Sequence, residues 1–234
     1  MTFSSPRCFA LVPAAGVGER SGAGRPKQYV EIAGRPMLAH TLAALAAVPR
    51  VVQTLVVLSP SDDRFEAAVP GFAGWAARVG GASRADSVLG GLAELRRRGA
   101  TDDDWVLVHD AARCLLRPEW VDALIDACLP DAVGGLLAQP IADTLKAGDA
   151  EGRVTATVDR RDKWAAQTPQ MFRLGLVEKA LMAMGAAATD EASAVEALGL
   201  APRLVRASMA NFKVTWPEDF ALADSLLAAR GLPT

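Results

Sequence analysis

Three short apolar runs, Cys8–Ala15 (CFALVPAA), Val52–Leu58 (VQTLVVL) and Trp105–His109 (WVLVH), alternate with longer segments of helical character. Runs of this length with little polar alternation suit strands covered on both faces, and such strands belong to parallel sheets. Between them, Pro36–Val48 is rich in Ala and Leu with a proline in its first turn, and Ser61–Asp63 can cap a helix ending near Ala68. A brief strand is predicted at Ala77–Val79, ending at Gly80–Gly81, with helices over Asp86–Arg98 and Pro118–Cys128. Parallel strands need crossover connections, so this order predicts an α/β fold with helices packed on a parallel sheet.

Beyond Gly134 the rhythm changes. LLAQPIADTLKAGDAEGRVTATVDR holds two extended stretches around a Gly/Asp turn near Ala147–Gly152, which predicts a projecting hairpin. Helical patterns return in RLGLVEKALMAM and in the capped TDEASAVEALG, followed by a strand at Arg203–Arg206 and a helix over Pro217–Arg230. The expectation is one domain spanning 1–234 with a β-arm at about 137–160, and no second catalytic domain after Thr234.

The formal net charge of -2, from 25 Lys+Arg against 27 Asp+Glu, gives no general attraction to nucleic acid or to an anionic membrane. Cys8, Cys114 and Cys128 are widely spaced and lack a C-x-x-C pair, which argues against a disulfide framework or structural zinc. Cys8 and Cys128 read as small core residues, and Cys114 has no visible base to make it a nucleophile. The start MTFSSPRCFALVPAAG lacks the pattern of a secretory leader, and no apolar run reaches a membrane span. A cytoplasmic protein is expected.

The chemistry is concentrated after the first strand, in LVPAAGVGERSGAGRPKQY (Leu11–Tyr29). Four glycines and three cations stand where an open α/β sheet binds its ligand, beyond the carboxyl end of a strand. Glycine lets backbone N–H groups approach phosphate oxygens, and Arg and Lys neutralise them. The dinucleotide pattern G-x-G-x-x-G would need glycine at Ser21, and the P-loop pattern fails because Pro26 precedes Lys27 and Gln28 follows it.

The pattern P-A-A-G-x-G-x-R, a short insert and P-K-Q-Y resembles the signature of sugar-nucleotide nucleotidyltransferases. With GGASRADSV, VLVHDAAR, DTLK, VDRRDKWAAQTPQMF, TDEASAVEALG and NFKVTWPED, the chain resembles the 2-C-methyl-D-erythritol 4-phosphate cytidylyltransferase family over nearly its whole length. The resemblance implies a three-layer, Rossmann-like α/β fold with a mostly parallel central sheet and a projecting β-arm. It implies CTP as substrate, a polyol phosphate as acceptor, Mg²⁺ as cofactor and a homodimer joined through the arm.

Residue by residue, it implies that Arg20 and Lys27 stabilise the transition state, while Pro13, Ala14, Ala15, Gly16, Gly18, Gly81, Ser87 and Ala111 surround CTP. Asp110 would hold the metal and face substrate. Arg113, Thr144, Arg160, Thr168, Thr189 and Lys213 would surround the acceptor, with Arg160 and Lys213 orienting its phosphate. Arg25 falls in the variable insert and reads as a solvated charge. His109, with His40 as the only other histidine, reads as structural, and Arg84 as either a nucleotide contact or a first-turn helix charge. Two positions depart from the family: Ala82-Ser83 stands where an acid commonly follows the paired glycines, and Trp216 where an Arg is usual. Base selectivity is therefore expected to rest on backbone groups and Ser87. A cytidylyltransferase for another polyol phosphate, such as ribitol 5-phosphate, and a non-catalytic CTP-binding relative remain open on these residues.

Overall fold

The computed structural model describes residues 6–16 and 26–230. In chain order, strand β1 (Cys8–Pro13) is followed by a 3-10 turn at Lys27–Tyr29, a small hairpin of β2 (Glu31–Ile32) and β3 (Arg35–Pro36), helix α1 (Met37–Ala46) and β4 (Val51–Val57). Then come α2 (Phe65–Ala68), β5 (Trp75–Ala77), α3 (Arg84–Arg97), β6 (Trp105–Val108), α4 (Pro118–Cys128) and β7 (Gly134–Pro140). The second half adds β8 (Leu145–Gly148), β9 (Val154–Val158), β10 (Trp164–Arg173), α5 (Leu174–Met184), α6 (Glu191–Glu196), β11 (Arg203–Arg206) and α7 (Pro217–Ala228).

Seven strands form one sheet in the order β11-β7-β10-β6-β1-β4-β5. All neighbouring pairs are parallel except those of β10, which runs antiparallel to both β6 and β7. Alternation along β1 explains the layers. Cys8, Ala10 and Val12 pack with Leu38, Leu42 and Leu45 of α1 and with Val121, Leu124 and Ile125 of α4. Phe9 and Leu11 face the other way, onto Val88, Leu92 and Leu95 of α3 and Val177 and Leu181 of α5. Side chains alternate across a strand, and apolar residues three or four apart share one face of a helix, so the two periodicities meet at both surfaces of the sheet. The helix starts are capped as the sequence allows. Ser83 Oγ accepts from Asp86 N at 3.0 Å, and Asp190 Oδ1 accepts from Ser193 N at 2.8 Å.

Two sequence expectations shift. The strand placed at Ala77–Val79 lies at Trp75–Ala77, and within the capped TDEAS pattern the cap of α6 is Asp190. Leu137 does not belong to an exposed arm: it is fully buried in β7, a strand of the main sheet, and β10, which returns beside it, was not foreseen. The separate two-stranded ribbon is β8–β9. Its apolar side chains are open to solvent in one chain, with Val154 64% and Val158 38% exposed.

The sheet's start is fastened by Asp104, which accepts from the backbone and guanidinium of Arg7 and from Thr101 N. Burial opposes ionisation there, but these donors outweigh it and hold the carboxyl at about 2 instead of 3.8. A depressed carboxylate contributes stability above its unfolded pKa and loses it as pH falls through the folded one. Asp104→Asn is therefore expected to cost about 1–2 kcal/mol near neutral pH, since Arg7 is partly solvated. Thermal melts should show the gap from wild type closing between about pH 4 and pH 2.

Candidate active site

β1 is flanked by β4, which follows it in the chain's first half, and by β6, which returns on its other side. The chain thus switches direction across the sheet at β1, and a crevice opens beyond the carboxyl ends of β1 and β6. It forms a cleft of about 510 Å³ lined by Pro13, Ala14, Ala15 and Gly16, by Lys27, Gln28 and Met37, by Gly81–Arg84 and Ser87, and by Asp110–Ala112 and Lys213.

The walls are held from behind. Gln28 Nε2 donates to the Ala14 carbonyl at 2.8 Å, and Thr41 Oγ1 to that of Ala111 at 3.0 Å. Gly80 and Gly81 meet a close-approach requirement: a Cβ on Gly80 would lie 2.3 Å from Ala15 Cβ, and one on Gly81 2.3 Å from Asp86 Cβ. Gly16 differs, because a Cβ there would enter open space. Nothing among the described residues demands that glycine, which itself lines the cleft. Ser87 Oγ accepts from Gly81 N at 3.1 Å and donates to Ser83 O at 3.0 Å, which ties the loop into one unit without the missing acid.

Asp110 sits at the floor, nearly buried, with cations converging on it. Arg84 Nε lies 3.0 Å from one carboxylate oxygen, and Lys213 Nζ 2.8 Å from the other. Burial alone would raise its pKa, but Arg84, Lys213 and Arg113 reverse that and hold it well below the usual carboxylate range. Arg84 also forks onto Glu191 at 2.7 and 3.0 Å. Lys27 Nζ donates to the Val214 carbonyl at 2.6 Å, joining the glycine-loop side to the segment that carries Lys213.

Of the residues named from the sequence, Pro13, Ala14, Ala15, Gly16, Lys27, Gly81, Ser87, Asp110, Ala111 and Lys213 share this cleft. Gly18, Arg20 and Arg25 lie outside the described residues. Thr168 is buried behind the wall, where its hydroxyl accepts from Asp110 N and pairs with His109 Nδ1, both at 3.0 Å. Since the hydroxyl's hydrogen is left for Nδ1, His109 keeps its proton on Nε2 and donates to Arg113 O at 3.2 Å. Burial pushes this histidine down to about 4, so a neutral, structural ring is the outcome. Arg113 donates through Nη1 to the carbonyl of Asn211 and through Nη2 to that of Ala166, while its Nε stands 4.0 Å from Asp110. Thr144 and Arg160 stand on the arm side and are exposed, with Arg160 bonded to the Ala142 carbonyl. Thr189 is exposed at the start of α6, its hydroxyl 3.1 Å from Ser193 Oγ.

Sequence reasoning did not single out Gln28, Glu191 or Asn211. Each sits inside a motif already in view (PKQY, TDEAS, NFKVT), yet a polar residue's burial is not readable from its letter. Asn211, fully buried, donates to Gln167 Oε1 at 3.0 Å and to Thr168 O at 2.9 Å, binding the 208–214 segment to β10.

Among the described residues, no group of three or more His, Cys, Asp or Glu side chains is placed to hold a metal ion, and no helix is long and apolar enough to cross a membrane. The family model for 2-C-methyl-D-erythritol 4-phosphate cytidylyltransferase matches residues 8–229. A protein of that name from Laribacter hongkongensis is 55% identical over 232 residues, covering 94% of this chain and 96% of its own. The "Bifunctional enzyme IspD/IspF" of Albidiferax ferrireducens is 57% identical over 97% of this chain, which spans only 54% of that longer protein. Among solved structures, a 4-diphosphocytidyl-2C-methyl-D-erythritol synthase superposes with a TM-score of 0.85 at 42% identity, over 96% of this chain and all of its own. The cytidylyltransferase from Thermus thermophilus does so at 0.77 and 31%, over 95% and 99%. By the match along its length and by its architecture, the chain belongs to the 2-C-methyl-D-erythritol 4-phosphate cytidylyltransferase family.

Proposed function

We propose that the cleft transfers the cytidylyl group of CTP to 2-C-methyl-D-erythritol 4-phosphate, forming 4-diphosphocytidyl-2-C-methyl-D-erythritol and pyrophosphate in non-mevalonate isoprenoid synthesis. One observation carries the reading. Among the described residues, three cations, Lys27, Arg84 and Lys213, line a crevice served by two carboxylates, Asp110 within it and Glu191 behind Arg84, which leaves the site net positive beside a backbone loop whose Gly16 leaves open space. That balance suits two polyanions held together.

An oxygen of the acceptor phosphate attacks the α-phosphorus of CTP. A P–O bond forms there, the bond to the β-phosphate oxygen breaks, and pyrophosphate leaves. The attacking oxygen is already anionic at neutral pH, so no side-chain base is required. The buried thiols fit a reaction without them: burial pushes Cys114 up to about 12, far from a thiolate at neutral pH. The work is positioning and charge neutralisation. Lys27, with Arg20 from outside the described residues, offsets charge developing on the phosphates, and Lys213 turns from Asp110 toward the acceptor. Ser87 Oγ retains a lone pair that can accept from the exocyclic amine of cytosine.

Mg²⁺ fits the donor set in one way. The ion takes one or two carboxylates with substrate phosphates and waters, and Asp110 is the carboxylate that lines the cleft. Bound there, it would supply further neutralisation of the phosphate oxygens. The three cysteines are free and buried, which supports a reducing, cytoplasmic setting. Pyrophosphate release from CTP with a panel of polyol phosphates tests the substrate assignment. The methylerythritol phosphate should give the highest kcat/KM. Preference for ribitol 5-phosphate would overturn the acceptor, and no release with any acceptor would overturn the activity.

The working unit is a homodimer whose arm carries Arg160 to the partner's cleft. A two-stranded ribbon is marginal alone in water, and Val154 and Val158 lie open on it. Mixing inactive Arg160→Ala and Lys27→Ala subunits under exchange should restore activity, since each mixed dimer then gains one site with both residues. With exchange verified, a dead mixture would rule out sharing.

A further inference from the structure

The buried pair Arg84–Glu191 is not needed to form either helix it joins. The α3 start is satisfied by Ser83 and Asp86, and the α6 start by Asp190 and Ser193, each in a reciprocal cap. Yet Glu191 is fully buried with Arg84 as its ion-pair partner, a costly placement for a carboxylate. Replacing such a pair with apolar residues is often neutral or stabilising, so stability alone is a poor reason to keep it.

Its geometry supplies another reason. One planar guanidinium reaches Asp110 with Nε at 3.0 Å and Glu191 with its two terminal nitrogens at 2.7 and 3.0 Å. The fork thereby links three segments that meet at the cleft: the loop entering α3, the end of β6 and the start of α6. Lys213, the other close partner of Asp110, is more exposed than Arg84 (39% against 29%) and is the cation free to follow a phosphate. When it leaves, Arg84 is the cation still in hydrogen-bond contact with the Asp110 carboxylate, Arg113 standing off at 4.0 Å, and Glu191 fixes Arg84.

We propose that Glu191 and Arg84 are positioning residues: a buried strut that sets the acceptor side of the cleft against the nucleotide side. The proposal rests on the reading of the cleft as a cytidylyl-transfer site. The nucleotide-side loop is held independently by Ser83 and Ser87, so loss of the strut acts on turnover and on the acceptor and spares CTP.

Steady-state pyrophosphate release, CTP binding by calorimetry and thermal melts test this with Glu191→Gln, Arg84→Lys and the double variant Arg84→Met/Glu191→Leu. Misplacement on the scale of an ångström costs roughly 100-fold in rate. Glu191→Gln and Arg84→Lys are expected to lower kcat by about that factor and to raise the acceptor KM about 10-fold, with CTP affinity held within about 3-fold. The double variant should regain the wild-type melting temperature while its kcat stays low. Recovery of both in the double variant would reduce the pair to a structural role, and wild-type kcat and acceptor KM in Glu191→Gln would overturn the proposal. Should Glu191→Gln fail to fold, the double variant decides. Failure of the underlying activity shows separately, as a wild-type protein that releases no pyrophosphate, and it removes the strut's role as well.

Discussion

Replacing Lys27 with alanine is expected to lower kcat by roughly 100- to 1000-fold, the usual cost of removing one donor aimed at developing charge. The KM for CTP should change far less if, as proposed, the side chain's interaction strengthens as the bond to pyrophosphate breaks. Lys27 lines the cleft on the glycine-loop side and is held at the Val214 carbonyl, next in the chain to Lys213. On the proposed reading its removal would withdraw charge from the leaving group, and it breaks the hydrogen bond to the segment that carries Lys213. Steady-state kinetics with both substrates varied will check this, and a near-normal kcat would remove Lys27 from the catalytic set.

Asp110→Asn should also be severe, with kcat/KM falling by about 100-fold or more. The carboxylate is the shared partner of Arg84 and Lys213 and draws Arg113 to 4.0 Å. Neutralising it removes the carboxylate that Lys213 and Arg113 share, while Arg84 keeps Glu191 and Lys213 is partly solvated, so a loss of about 1–3 kcal/mol in stability is expected beside the catalytic defect. The variant should also need more Mg²⁺ for half-maximal rate, and a titration of rate against Mg²⁺ reads that directly. An unchanged Mg²⁺ dependence would separate Asp110 from the metal while leaving its role in ordering the cations.

Much of this arrangement is legible in the sequence because its physics is local. The β1 run, the glycine loop and the Ala/Leu helix after it announce their conformations through neighbours in the chain. Asp110 is legible too, since a carboxylate ending a buried strand marks where a sheet opens to ligand. What escaped depends on distant contacts. β10 reads poorly as a strand because its WAAQTPQMF segment carries proline and glutamines, and its register against β7 shifts between Ala166 and Gln170. That irregularity lets Gln167 and Thr168 serve the site wall instead of the ladder. Leu137 looked like arm because it is followed by polar extended chain, yet β7 continues the main sheet until Pro140. Glu191 is one acid within the capped TDEAS pattern, and only the fold brings Arg84, 107 residues away, onto it.

The central claim is that the new bond at the α-phosphorus of CTP is made by an oxygen of the acceptor phosphate. It is tested most directly by running the reaction with methylerythritol phosphate labelled with ¹⁸O in its phosphate group and analysing both products by mass spectrometry. Direct attack keeps every labelled oxygen in the cytidine diphosphate alcohol, one of them in the new P–O–P bridge, and releases unlabelled pyrophosphate. Label in the pyrophosphate, or loss of label from the alcohol's phosphate, would contradict the account.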